Sequence, residues 1–247
     1  MVTKAEIQSV RALRQRAQRE QAGMFVVEGW KGVMELLASN MSVVRIYVRS
    51  ELNPPEGAHL PDAALAVSSK DMERMSQMKT PPGILATVRI PEQAALPHHV
   101  RHGTLLVCDR IADPGNLGTL IRTADWFGFA GVVCDVRGVD PWNAKCLQAA
   151  MGSAFRLPIW TAQLPEWFPN FEGTSWALDA GGEPLDQIPN RPAALIVGSE
   201  SHGLSTALRE SATHIAAIPG HTATESLNAA VAGSIAMYQI NQSRTAS

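Results

Sequence analysis

"TLLVCDRIADPGNLGTLIRTADWFG", residues 104–128, joins a continuous apolar run to an amphipathic one through a polar turn. The apolar run Leu105–Cys108 lacks polar alternation, as expected of a strand covered on both faces. Pro114 and Gly115 make the turn. Asn116 stands where it can cap the helix that follows, and Gly118 permits close approach of another backbone. A strand, a polar loop and a helix in this order make the repeating unit of a parallel α/β sheet.

The pattern continues downstream. "GVVCD" (131–135), "FRLPIW" (155–160), "SWALD" (175–179), "AALIVG" (193–198) and "THIAAIP" (213–219) read as strands. "PWNAKCLQAAMG" (141–152) reads as a helix, and so does the segment after Asn228, where Ala229, Ala230, Val231, Ile235, Ala236, Met237 and Ile240 recur at helical spacing. The expectation is a parallel sheet with helices on both faces. Ligands in such sheets bind beyond the carboxyl ends of the strands. Three glycine-containing polar loops leave that edge: residues 109–116, "SESHGLS" (199–205) and "GHTATESLN" (220–228).

Upstream, residues 3–20 read as one helix. "MFVVEG" (24–29), "VVRIYV" (43–48), "ALAV" (64–67) and "ILATVRI" (84–90) read as strands, with helices over 30–39 and 69–77. This is a smaller α/β unit. "PEQAALPHHVRHG" (91–103) has two prolines, three histidines and little periodicity, which marks a linker. The domain expectation is therefore 1–90, a linker over 91–103, and 104–247. His98, His99 and His102 lack carboxylate or cysteine neighbours at ligand spacing, so no metal is assigned.

The 247 residues are 45% hydrophobic with a formal charge of −2 and a pI near 6.4. A chain coated in positive charge is excluded; a local basic patch is not. Lys4, Arg11, Arg14, Arg16, Arg19 and Lys31 crowd the first 31 residues and offer a surface for polyanions. No apolar run reaches the roughly 18 residues a membrane span requires, and the polar N-terminus has no secretory signal core. Cys108, Cys134 and Cys146 form no C-x-x-C pair and read as buried thiols of a cytoplasmic protein. No G-x-G-x-x-G or G-x-x-x-x-G-K-[ST] phosphate loop occurs, which disfavours ordinary dinucleotide or nucleotide binding.

The three loops taken together, "DRIADPGNLGTLIRTADWFG", "LIVGSESHGLS" and "IPGHTATESLNAAVAG", resemble in order the motifs of the SpoU (TrmH) family of RNA 2′-O-ribose methyltransferases, in the SPOUT superfamily. The resemblance covers residues 104–241. "FVVEGWKGVMELL" and "GILATV" also look like the small α/β substrate-binding domain of many members. The resemblance implies a parallel-sheet SPOUT domain with a deep trefoil knot, a homodimer, S-adenosylmethionine as cofactor and RNA as partner, ribosomal in preference to transfer RNA. It places the cofactor against Gly198, Ile218 and Leu227, largely by backbone contacts. It makes Arg122 the principal catalytic residue, assisted by Asn116, Glu200, Ser226 and Asn228, and it leaves Arg11, Arg14 and Lys31 to meet RNA. The chain departs from the family pattern at Ser199, Ser201, Gly220 and Thr222. Ser199, Gly220 and Thr222 are the support for one rival, an RNA-binding assembly factor with a decayed site; methylation of a base nitrogen is another.

Overall fold

A computed structural model describes residues 2–93, 95–100, 102–188, 191–220 and 226–245. Thr222, Thr224 and Glu225 of the third motif lie outside the described residues. The chain forms two compact units, Met1–Glu92 with Trp142–Arg156, and Gln93–Pro141 with Leu157–Ser247.

In the first unit, α1 (Lys4–Ala12) and α2 (Arg16–Ala22) replace the single helix expected over 3–20. The break has a physical cause. Arg19 is buried, and its guanidinium donates to the Leu13 carbonyl at 2.8 Å and the Arg14 carbonyl at 2.9 Å. It thereby satisfies backbone acceptors that a continuous helix would have used. Next come β1 (Met24–Glu28), α3 (Trp30–Leu37), β2 (Val43–Arg49), β3 (Leu65–Val67), α4 (Ser69–Met75) and β4 (Ile84–Arg89). The sheet order is β1-β4-β2-β3, with β4 antiparallel to both its neighbours and β2 parallel to β3. Ile7, Val10 and Leu13 of the helical arm pack with Val26, Tyr47, Met72 and Leu85 in one core.

The second unit holds β5 (Leu105–Asp109), α5 (Pro114–Trp126) and β6 (Gly131–Asp135). α6 (Ala144–Ala150) and the 3-10 turn Ser153–Phe155 then belong to the first unit. The second unit resumes with β7 (Ile159–Ala162), α7 (Leu164–Trp167), β8 (Ser175–Pro184), β9 (Ala194–Gly198), α8 (Thr206–Ser211), β10 (His214–Ala217) and α9 (Ala229–Thr245). Its six strands run in the order β10-β8-β9-β5-β6-β7, every pairing parallel. β5, β6 and β9 are nearly continuous in buried apolar residues, consistent with a sheet covered on both faces. The three cysteines are buried, and none is in a disulfide.

The placement of Trp142–Arg156 differs from a boundary drawn near residue 104. Phe25 stacks on Trp142 with ring centroids 4.8 Å apart, and Arg156 pairs with Glu35 at 2.7 Å. Periodicity finds the α6 helix but carries no information about which core its apolar face enters. The segment "FRLPIW" also differs: Phe155 ends the 3-10 turn and the strand starts only at Ile159, after Pro158, which has no N–H for a ladder.

Candidate active site

Because the second sheet is wholly parallel, β5, β9 and β10 all deliver their carboxyl ends to one edge, and the three polar loops leave from it. β9 and β5 are neighbours, while β10 stands beyond β8; Asn228, which follows the third loop, is joined to the first by a hydrogen bond to Asn116.

The start of α5 decides the geometry. Pro114 fits the first helical position, where its missing N–H is no loss. That choice makes Asp113 the cap, and its carboxylate accepts from the Asn116 N–H at 2.9 Å. The sequence expectation that Asn116 caps this helix is corrected: Asp113 does. The Asn116 side chain is thereby released for other work. Its amide donates to Glu200 Oε1, and its Oδ1 accepts from Asn228 Nδ2 at 3.1 Å. One side chain joins loops 84 and 112 residues away.

Asn228 is itself held. Its Oδ1 accepts from the N–H groups of Ala230 at 3.0 Å and Val231 at 3.2 Å, which caps α9. The cap is therefore Asn228 and not Ser226, which is exposed and makes no hydrogen bond among the described residues.

Glu200 rides on a tight loop. Ser199 and Gly203 exchange backbone hydrogen bonds at 3.1 and 2.9 Å, and the Ser199 hydroxyl accepts from the His202 N–H at 3.2 Å. This fold-back explains Gly198: a Cβ there would lie 2.4 Å from the Gly203 carbonyl carbon. Asp109 fixes the loop's far end. It is fully buried at the end of β5, accepts from the Ser205 N–H, and pairs with Arg110 at 3.1 Å. Sequence reading missed Asp109 and Asp113. The Asp-Pro pair at a helix start was a usable signal for Asp113; nothing local marks Asp109 as a tie to residue 205.

A neighbouring carboxylate, Asp135, ends β6. Burial would raise its pKa, but hydrogen bonds and charge from Arg137 hold it below the ordinary carboxylate value. Arg137 grips it in a fork at 2.9 and 2.8 Å.

Arg122 is exposed and has no hydrogen bond or ion pair among the described residues, so it pairs with neither Asp113 nor Asp125. It follows Asn116 by six positions, which puts it about 120° around the helix. The two side chains do not share a face, so Arg122 is not brought into the Asn116 cluster by its own helix. Ile218 is half-buried and Leu227 is 47% exposed. In the first unit, Arg11 and Lys31 are exposed without described partners, whereas Arg14 is exposed but donates to the Ser76 carbonyl. Among the described residues no group of histidine, cysteine and carboxylate could hold a metal, and no helix is long and apolar enough to cross a membrane.

The chain is similar to known proteins over both units. The SpoU rRNA Methylase family profile matches residues 103–238, and that of the MRM3-like substrate binding domain matches residues 4–86. The chain is 32% identical over 240 residues to 23S rRNA (guanosine(2553)-2'-O)-methyltransferase RlmP of Bacillus subtilis, covering 95% of each chain. Among solved structures, it superposes on a TrmH-family protein from Porphyromonas gingivalis with a TM-score of 0.87 and 29% identity, covering 98% of this chain and 99% of the other. An AdoMet-bound rRNA methyltransferase from Sinorhizobium meliloti gives a TM-score of 0.82 and 27% identity, covering 98% and 96%.

Proposed function

The chain belongs to the SpoU rRNA Methylase family, and from that premise we propose that it transfers the methyl group of S-adenosylmethionine to a ribose 2′-hydroxyl of ribosomal RNA. The observation that carries the reading is Asn116 bonded to both Glu200 and Asn228, one residue from each of the three motif loops. Ribosomal RNA is favoured over transfer RNA because the Bacillus relative is named for 23S rRNA and the first unit matches a substrate-binding domain.

The loop edge suits a cofactor held by main-chain groups. Gly198 and Gly203 keep the second loop narrow, while half-buried Ile218 and exposed Leu227 offer apolar side chains to a planar base. When bound, S-adenosylmethionine supplies a methyl group already activated on a positive sulfur. The chain has then to align an in-line attack and handle one proton, and alignment alone contributes several kcal/mol.

The Asn116 amide is fixed at both ends, so its direction is set before substrate arrives. Glu200 Oε2 has no hydrogen bond among the described residues and is available to accept from the ribose hydroxyl. A guanidinium is always charged in proteins, so Arg122 acts by orientation and charge: it grips the phosphate beside the reacting ribose in a bidentate fork. The proton leaves late, to water or that phosphate.

Arg122 reaches a site through a second copy of the chain. Trp126, one turn beyond it on α5, is 84% exposed. α9, which packs on α5, exposes Val231 (47%), Ile235 (39%) and Tyr238 (54%). An apolar patch of this kind marks an interface. The proposal is a homodimer through this face, each Arg122 completing the partner's site, with the trefoil knot of the family around the cofactor loops and a cytoplasmic location.

The test has two parts: calorimetry with S-adenosylmethionine, and mapping of ribose methylation across cellular RNA with and without the protein. Binding together with loss of one ribosomal 2′-O-methyl group supports the reading. A chain that ignores the cofactor is the decayed assembly factor, the rival that Ser199, Gly220 and Thr222 favour. A lost base methyl group or a transfer-RNA site corrects the substrate.

A further inference from the structure

Trp30, Lys31 and Glu35 of α3, with Gln148, Met151 and Phe155 of the α6 segment, line a cavity of about 310 Å³ wholly within the first unit. Its floor is apolar: Val26, Val27 and Phe155 are buried. Its rim is not. Lys31 is exposed and has no hydrogen bond or ion pair among the described residues. Glu35 is fixed by Arg156 at 2.7 Å, and Gln148 is exposed. Met151, 37% exposed, stands in the left-handed region at φ 51°, where a non-glycine residue is uncommon. Gly152 follows at φ 87°, and a Cβ there would lie 2.9 Å from Glu35 Oε2, so the wall approaches α3 closely because this residue is glycine.

An aromatic ring, a thioether, an amide, an oriented carboxylate and a free ammonium around one apolar slot match a particular ligand chemistry. Unstacked RNA bases are recognised by stacking on aromatic side chains with hydrogen bonds to their edges, while a nearby cation meets the phosphate. We propose that this cavity receives one unpaired nucleobase of the substrate RNA. Trp30 and Met151 cover its faces, Gln148 and Glu35 meet its edge, and Lys31 meets the adjoining phosphate. The inference rests on the RNA methyltransferase reading and deepens it by naming a base subsite in the substrate-binding unit.

The experiment uses the full chain with 23S ribosomal RNA transcribed in vitro. Ultraviolet crosslinking followed by peptide mass spectrometry should give a nucleotide adduct on the peptide bearing Trp30 or Met151. Trp30→Ala should raise the KM for RNA about tenfold, in line with loss of one base stack, while kcat and calorimetric binding of S-adenosylmethionine stay as in the wild type. Trp30→Phe, which retains a ring, should recover most of the affinity, and Gln148→Ala should give a smaller KM increase with no change in Tm. Trp30→Ala with an RNA KM within twofold of wild type overturns the subsite, as do adducts confined to other peptides. A loss in Trp30→Ala matched by Trp30→Phe and by a lower Tm makes Trp30 structural and overturns it too. If wild-type protein neither binds nor methylates the RNA, the enzyme reading fails and the subsite with it. If wild type does both and Trp30→Ala is unaffected, only the subsite fails.

Discussion

At the scale of single residues, Asn228 does two jobs with two atoms. Its Oδ1 caps α9 and its Nδ2 bonds Asn116. The jobs separate by mutation. Asn228→Ala should lose both, lowering stability by about 1 kcal/mol, the ordinary worth of a helix cap, and removing most turnover. Asn228→Asp keeps an oxygen for the cap and adds charge suited to a helix N-terminus, so its Tm should stay near wild type while turnover still falls. Thermal melts beside methyl-transfer rates decide the matter. Equal rates for Asn228→Asp and wild type would mean that the bond to Asn116 has no catalytic role. The residue types of this cluster were legible in the sequence because polar side chains crowd strand ends facing one edge. Their division of labour was not. Which of two nearby polar residues caps a helix depends on where the first turn begins, and Pro114 shifts that start onto Asp113.

At the scale of elements, the α5–α9 contact depends on a missing side chain. Gly233 sits where a Cβ would lie 2.4 Å from Leu120 Cδ2 and 3.3 Å from Val197 Cγ2, and Leu120 is fully buried. Glycine to alanine in a helix gains up to about 1 kcal/mol of propensity, whereas overpacking a filled core costs about 1–3 kcal/mol. Gly233→Ala should therefore be destabilising, read as a lower urea midpoint at unchanged slope; a higher midpoint would mean that the helices separate freely. The end of β6 gives a pH-dependent case. Asp135 is buried with its pKa held low by the Arg137 fork. A lowered carboxylate contributes stability that is present above the unfolded value, about 3.9, and lost as pH falls through the folded one. Arg137→Ala removes the fork and leaves burial to raise the pKa instead. The loss should be about 1–3 kcal/mol at pH 7, toward the low end because Arg137 is half exposed and solvent screens it. It should shrink as the pH falls, first through the raised value of the variant's carboxyl and fully only once wild-type Asp135, held below about 3.9, takes up its proton. A deficit that stays constant from pH 7 to pH 3 would remove Asp135 from the explanation. Strands such as β5, β6 and β9 were readable from composition alone, because a strand buried on both faces is a continuous apolar run. The break between α1 and α2 was not, because it is made by the side chain of Arg19 reaching back to carbonyls, which no spacing rule encodes.

At the scale of the whole molecule, one chain carries the Asn116 cluster and an Arg122 that points elsewhere on the same helix. The parallel sheet, and the delivery of three loops to one edge, follow from the β/α alternation visible in the sequence. That alternation says nothing about whether a second copy supplies the guanidinium, because helical phase places side chains around their own axis and not across an interface. Two inactive variants answer the question. Asn116→Ala lacks the cluster and Arg122→Ala lacks the cation. If each site takes its cluster from one chain and its Arg122 from the other, a mixed dimer holds one doubly defective site and one intact site. Random pairing at equal amounts makes half the dimers mixed, so about a quarter of wild-type activity should return when both chains share an isologous two-fold interface. If Arg122 serves its own chain, every site in the mixture keeps a defect and activity stays at the level of the single variants. Adding Trp126→Glu to both chains supplies the control: a buried charge at the proposed interface should give monomers in sedimentation and abolish the recovery, with folding of each unit preserved because Trp126 is exposed in the single chain. Activity that stays at the level of the single variants while the mixed chains remain dimeric would place Arg122 and Asn116 in one chain's site and refute the shared arrangement.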